Sequence, residues 1–300
     1  MRSVQLLQGA TDPMGFPTDI NIIETFVGMP SRNRKEVYKF LAPHLRDQES
    51  KDFRFPAQYM FKDVPPDTEE GVDPVALLID NFERHNIEKA MLGYNPNNPD
   101  CLRALTEHPD RFFTCFEFDP TDVMPGIEKI REVHASGVNL RAISTFPAGY
   151  RTPLNDKKMY PFYALAVELD LPIFCCVGIP GPRVPFAPQH VELIDEVMYD
   201  FPDLTFVMRH GAEPWTELAM KLMLKWPNLY YSTSAFAPKH YPKAIIDYAN
   251  SRGADKVMYA GYFPAGLSYD RIFEELPKVP FKDEVWPKFL RENAKKVLKL

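Results

Sequence analysis

The sequence predicts an α/β chain folded as a single-domain (β/α)8 barrel, a TIM barrel, with a long excursion after its first strand. Three observations carry that reading. From about residue 74, segments with apolar residues at helical spacing alternate with short apolar runs. Those short runs are continuously apolar rather than alternating, as expected of parallel strands buried on both faces. Counting one strand near the start there are eight, and 300 residues accommodate the roughly 250 that such a barrel uses. An open doubly wound sheet ranks second, because "GMPSRNR", which follows the first strand, is not a glycine-rich phosphate loop.

The elements follow in order. Residues 1–17 read as an N-terminal leader and residues 18–300 as the barrel. The first strand is placed in "TDINIIE", Thr18 to Glu24. Residues 28–73 form the excursion, rich in Pro, aromatics and charge in "RFPAQYMFKDVPPDTEEG". A connection of that length at the active-site face is expected to be a lid or a subunit contact. A plain surface excursion packed on the barrel is equally open. "PVALLIDNFERH" is then helical, "IEKAMLG" a strand, "NPDCLRALTEHP" helical and "RFFTCFEF" a strand. "PGIEKIREVHASG" reads as a helix with Gly137 beyond its end, and "VNLRAIS" as a strand. The alternation continues through "YPFYALAVELD", "LPIFCCVG", "PQHVELIDEVMYDFP", "LTFVMRHG", "EPWTELAMKLMLKWP", "NLYYSTSA", "PKAIIDYANSRG" and "DKVMYAG", and ends in a helical "DEVWPKFLRENAKKVLKL".

Composition narrows the function classes. Hydrophobic residues at 45% and charged residues at 25% give a globular balance. A formal net charge of −6 argues against a nucleic-acid partner. No uncharged apolar run approaches the roughly 20 residues of a membrane span, and the opening apolar run is too short for a secretory signal. Four Cys in a chain this long are no disulfide framework, so a reducing cytoplasm is expected. The 30 Pro, many beside strand ends, suit long rigid connections.

The fragments "DINIIE", "PLNDKKMYPFYALAVELDLPIFCCVG", "PDLTFVMRHGAEPW", "PNLYYSTSA", "DKVMYAGYFP" and "RENAKKVLKL" occur in an order and spacing that resembles the amidohydrolase-related family. The similar branch contains aminocarboxymuconate semialdehyde decarboxylase and related hydrolases and decarboxylases, and the likeness runs from about Asp19 to Leu300. The resemblance implies a divalent metal, usually zinc. Its ligands would be an acid or His and a second His on strand 1, a His ending strand 5 and an Asp ending strand 8. A His ending strand 6 would help activate the metal-bound water. Here Asp19 matches the first position, Asn21 falls where His belongs, Cys176 replaces the strand-5 His, His210 is retained, and Tyr262 replaces the strand-8 Asp.

The altered set is a poor one for a metal. Zinc wants three or four good ligands converging on a point. A neutral Asn amide competes poorly with imidazole or carboxylate. Cys176 would have to ionise at an apolar strand end, and a phenol such as Tyr262 is neutral at pH 7. The expected enzyme therefore needs no metal or other cofactor. His210 is its general acid/base, Asp19 orients or charge-stabilises the ring, Tyr262 donates to a developing oxyanion, and Cys176 is a weaker candidate nucleophile. Asn21, Arg141, Ser144, Arg209, Ser232, Ser234 and Trp215 are candidate substrate-binding residues. Arg141, Arg209 or Arg183 could bind a substrate carboxylate or phosphate by a two-point contact, Tyr94, Asn95 and Glu117 also belong near strand ends, and Met29, Phe146, Phe236 and Phe263 would supply apolar walls. Each of these has a plain alternative: a hydrogen-bonded core His, small buried Cys, structural ion pairs, rim packing.

The reading is hydrolysis or carbon–carbon cleavage, including decarboxylation, of a small organic acid or its thioester. The alternatives are a zinc or other divalent-metal enzyme with Asp19, Cys176 and His210 as ligands, and a catalytically inactive barrel that binds a ligand or serves as a partner subunit. The partners expected are a small-molecule substrate and a second copy of the chain in a homodimer, with no nucleic acid and no membrane.

Overall fold

The structure, a computed structural model, describes residues 15–300. The first 14 residues of the leader expected over 1–17 lie outside the described residues. Phe16 packs edge-on against Trp286 with ring centroids 5.0 Å apart.

Eight parallel strands run round a barrel in chain order. They are β1 (Ile22–Val27), β2 (Ile87–Gly93), β3 (Phe112–Glu117), β4 (Leu140–Thr145), β5 (Ile173–Cys176), β6 (Phe206–Arg209), β7 (Leu229–Ser232) and β8 (Val257–Met258). The intervening helices are α3 (Pro74–Arg84), α4 (Pro99–Glu107), α5 (Val123–Ala135), α6 (Tyr160–Glu168), α7 (Leu193–Asp200), α8 (Thr216–Lys225) and α9 (Lys243–Ala249), with α10 (Tyr269–Glu275) and α11 (Asn293–Leu298) after β8. Among the described residues, no helix is long and apolar enough to cross a membrane. Local chemistry sets two helix starts. Asp73 and Asn98 each accept two backbone N–H groups as N-caps, and each is followed by a Pro that presets the first turn. The sequence reading missed α10, whose Ser268 cap accepts from Arg271 N.

The first strand lies later than expected, at 22–27 instead of 18–24. Residues 18–21 enter alongside the turn before β2: Asn86 Nδ2 donates to Ile20 O at 2.7 Å, and Ile22 N donates to Asn86 O at 2.9 Å. The strand itself contains Glu24 and Thr25, both fully buried, which breaks the continuously apolar pattern.

Those two residues also join β1 to β8, whose strands share no regular ladder. The Glu24 carboxylate accepts from Gly261 N at 2.8 and 2.9 Å and from Phe26 N at 2.8 Å. Thr25 Oγ1 donates to Tyr259 O at 2.6 Å. Beyond them Val27 bridges Phe263, and Gly28 N donates to Phe263 O at 2.9 Å. Side chains thus satisfy backbone groups that a ladder would otherwise pair.

Inside the barrel, Ile23, Met91, Phe113, Cys115, Ala142, Phe174, Val207, Tyr230 and Met258 form one apolar cluster, and Ala294, Val297 and Leu298 of α11 close it from below. A larger core packs the outer strand faces against the helices.

The excursion carries two short helices, α1 (Arg34–Val37) and α2 (Gln48–Asp52). It folds over the carboxyl end of the barrel. Phe55 and Phe61 pack on Tyr262 at 6.1 and 6.0 Å, and Phe40 stacks on Tyr150 at 5.5 Å. Arg34 is buried, bonded to Asp67 and to the carbonyls of Pro264 and Ala265. Arg183 makes the structural ion pair that was one of its two readings: it pairs at 2.7 Å with Asp47 and Glu49 and lies over the rings of Phe53 and Tyr59.

Candidate active site

Strand alternation decides what faces the mouth. Phe174, Val207, Tyr230, Cys115 and Ala142 point into the barrel, so Cys176, Arg209, Ser232, Glu117 and Ser144, two residues on, form the layer above them. After β6, β7 and β8 the chain turns through non-glycine residues in the left-handed region, His210 (φ 69), Ala235 (φ 69) and Tyr262 (φ 70). Each such residue costs about 1–2 kcal/mol, and strain of this kind gathers at functional sites.

Arg209 occupies the centre of this layer and is 4% exposed. Its Nη2 lies 3.5 Å from Cys176 Sγ and 3.5 Å from Glu117 Oε2, and its guanidinium sits 5.2 Å from the Phe26 ring centroid. Its Nε is buried without a partner. Tyr150 OH donates to the other Glu117 oxygen at 3.4 Å. Ser232 Oγ is likewise buried and unpartnered.

His210 is half-buried, with Tyr262 and Phe26 edge-on at 5.0 and 5.4 Å. Ser234 Oγ lies 3.0 Å from its Nδ1 and accepts its backbone N–H at 3.2 Å. Burial, with Arg209 nearby, holds the imidazole well below its usual range, so it is neutral at pH 7. Burial pushes the Tyr262 phenol well up, and it stays protonated. Burial also raises the Cys176 thiol despite the opposing pull of Arg209, leaving it a neutral thiol and a poor nucleophile.

Several expected site residues lie elsewhere. Asp19 and Asn21 are exposed and precede β1, at the amino end of the barrel, where Asn21 O accepts from Arg291. Asp19 therefore does not reach His210, and Ser234 is the partner of that ring. Arg141 starts β4 at the same end, bonded to Asn139 Oδ1 and Lys299 O. Trp215 packs on His190 at 3.9 Å and on Phe186 at 5.4 Å. Phe263 stacks on Tyr269 in the outer core. At Gly211, next to His210, a β-carbon would overlap the Phe236 ring, so Phe236 fills the space there. Asn95 is exposed, and Tyr94 N donates to Cys115 O at 2.8 Å. Met29 and Phe146 are half-buried.

The sequence reading missed Phe26, Tyr150 and the excursion's rings Phe55 and Phe61. It also missed Glu24, although a lone carboxylate inside "IIETFV" was a signal, since a buried charge needs partners. Burial raises the Glu24 pKa to about 7 against the opposing backbone bonds from Gly261 and Phe26.

The donor set does not fit the divalent metal that the resemblance implies. Among the described residues, no three His, Cys, Asp or Glu side chains form a group able to hold one. Cys176 is a protonated thiol, Nδ1 of His210 faces Ser234, and both Glu24 oxygens take backbone N–H groups at the β1–β8 seam. A permanent guanidinium lies beside Cys176 and Glu117.

A sequence profile of the amidohydrolase family matches residues 19–300. Among solved structures, an uncharacterised TIM-barrel protein from Bordetella bronchiseptica superposes with a TM-score of 0.70 at 20% identity, covering 93% of this chain and 99% of that one. A 5-carboxyvanillate decarboxylase from Novosphingobium aromaticivorans, complexed with manganese and 4-hydroxy-3-methoxy-5-nitrobenzoic acid, gives 0.64 at 17%, covering 97% and 98%. A probable 2-pyrone-4,6-dicarboxylic acid hydrolase from Acinetobacter baumannii with citric acid bound gives 0.63 at 14%, covering 94% and 100%. A search of curated proteins gives no match.

Proposed function

The chain belongs to the amidohydrolase family, as an enzyme of hydrolase or carbon–carbon lyase type, and from that premise we propose that it acts without a metal on a small organic acid or its thioester. The observation that carries this reading is His210, half-buried at the barrel mouth with Ser234 on Nδ1. Both candidate reactions need a group that handles a proton at the reacting atom. Hydrolysis takes a proton from water, and carbon–carbon cleavage returns one to the carbon that keeps the electron pair. Ser234 Oγ has a second lone pair beside the one that takes the His210 backbone N–H, so it accepts the hydrogen on Nδ1 and leaves Nε2 with the lone pair that takes the proton. Tyr262, protonated across the working pH range, supplies a second donor for a developing oxyanion. Ser144 and Ser232 line the same layer as hydrogen-bonding groups for the substrate. A manganese-bearing decarboxylase and a hydrolase with the same fold support the reaction class.

The test is His210→Gln, assayed for turnover over a panel of small carboxylic acids and thioesters. A fall of roughly 10²–10⁴-fold in kcat with an intact thermal transition is expected. Unchanged turnover on an acid that the parent chain consumes removes His210 from the chemistry.

A further inference from the structure

Resting on the reading of the mouth as an organic-acid site, we infer that the Arg209 guanidinium takes over the charge role a divalent cation would have there and binds a monoanionic carboxylate directly. A guanidinium has five N–H donors and cannot lose its charge in a protein. This one is 4% exposed, yet its named hydrogen-bond contacts are two at 3.5 Å, at the long limit, and its Nε has none. A buried cation needs partners, and an under-satisfied planar fork matches the two oxygens of a carboxylate. Phe26 covers one face of the guanidinium, which leaves its in-plane edge for the ligand.

The charges around it select the ligand class. Glu117 supplies one negative charge across a long contact, and its side chain is 39% exposed, so it is free to turn toward solvent when an anion arrives. One fixed cation with one displaceable carboxylate suits a monoanion. It disfavours a phosphate dianion, and it repels a divalent cation outright.

The test is calorimetric titration of the full chain with acetate, benzoate, inorganic phosphate and Mn²⁺ as separate probes. The carboxylates are expected to bind one per chain, phosphate at least about tenfold more weakly, and Mn²⁺ without stoichiometric binding. Arg209→Gln should weaken carboxylate binding at least about tenfold, the loss of a charge-assisted pair. Glu117→Gln removes the competing anion and should tighten binding about twofold to fivefold, the scale of a partly exposed ion pair. Because Glu117 is partly exposed, its variant decides the matter even where Arg209→Gln does not fold. Carboxylate affinity that both variants leave unchanged overturns the inference. So does stoichiometric Mn²⁺ binding that disappears in Cys176→Ala. Carboxylate binding that behaves as expected, together with turnover indifferent to His210→Gln, removes the proposed chemistry and leaves the anion site standing. Turnover that needs His210 but ignores Arg209 does the reverse.

Discussion

The two ends of the barrel obey the same alternation and use it for opposite purposes. At the amino end the inward residues are apolar and α11 plugs them, while Arg141 there donates to Asn139 Oδ1 and Lys299 O and the Asn21 carbonyl accepts from Arg291. At the carboxyl end the same inward phase delivers Arg209, Cys176, Ser232 and Glu117. Three chain exits there sit in left-handed backbone, and buried donors lack partners. The difference teaches that stability and chemistry are stored at opposite ends of one strand set. A residue's distance from the strand's carboxyl end then says which of the two its mutation will damage.

The strongest attack on that division is at the floor. Phe174 is fully buried within the interior cluster, and Phe174→Ala is expected to cost about 3–5 kcal/mol of stability. Urea unfolding measures the loss, and kcat of the surviving folded fraction should be nearly unchanged. A large fall in kcat at equal folded fraction would break the comparison.

Next is the seam. Glu24 has a folded-state pKa of about 7, above its ordinary 4.5. The protonated form is the one the fold favours. Its contribution is therefore fully present below pH 4.5 and is lost as pH rises through 7. The shift corresponds to about 3 kcal/mol over that window. Glu24→Gln should flatten this part of the stability–pH curve, read from denaturation midpoints between pH 4.5 and 8, and an unaltered slope would assign it to other groups.

Gly211 tests the strained mouth at smaller scale. With φ 95 and the Phe236 ring against its α-carbon, Gly211→Ala should cost about 1–2 kcal/mol through backbone strain. Phe236 must swing aside as well, which an altered aromatic circular dichroism signal would report. The smallest effect sharpens the contrast from the other end. Asp19→Ala should stay within about 0.5 kcal/mol of the parent and leave kcat alone, because Asp19 is exposed beyond the amino end of β1.

How legible these ends were depended on pattern strength. Strands β2 to β7 were legible because each is a short apolar run flanked by helical periodicity, whereas Cys176 and His210 were singled out by the family resemblance. β1 was placed four residues early because "TDINIIE" was matched to the family's first strand, while the true strand carries Glu24 and Thr25, whose burial depends on a neighbour, β8, more than 230 residues away. The Ser234 partnership with His210 crosses from β7 to β6 and is invisible to local spacing. Phe55 and Phe61 were read only as part of an aromatic-rich excursion, since nothing local says that they meet Tyr262.

The plug at the amino end has a consequence for how the molecule is made. Ala294, Val297 and Leu298 arrive after all eight strands have been synthesised. Until then the underside of the barrel is an apolar ring facing water, so a nascent chain with all eight strands made exposes that ring until α11 docks. A chaperone that recognises exposed hydrophobic surface would hold this protein until α11 docks, and a premature stop before Asn293 would yield a chain with every strand present and a persistent tendency to aggregate.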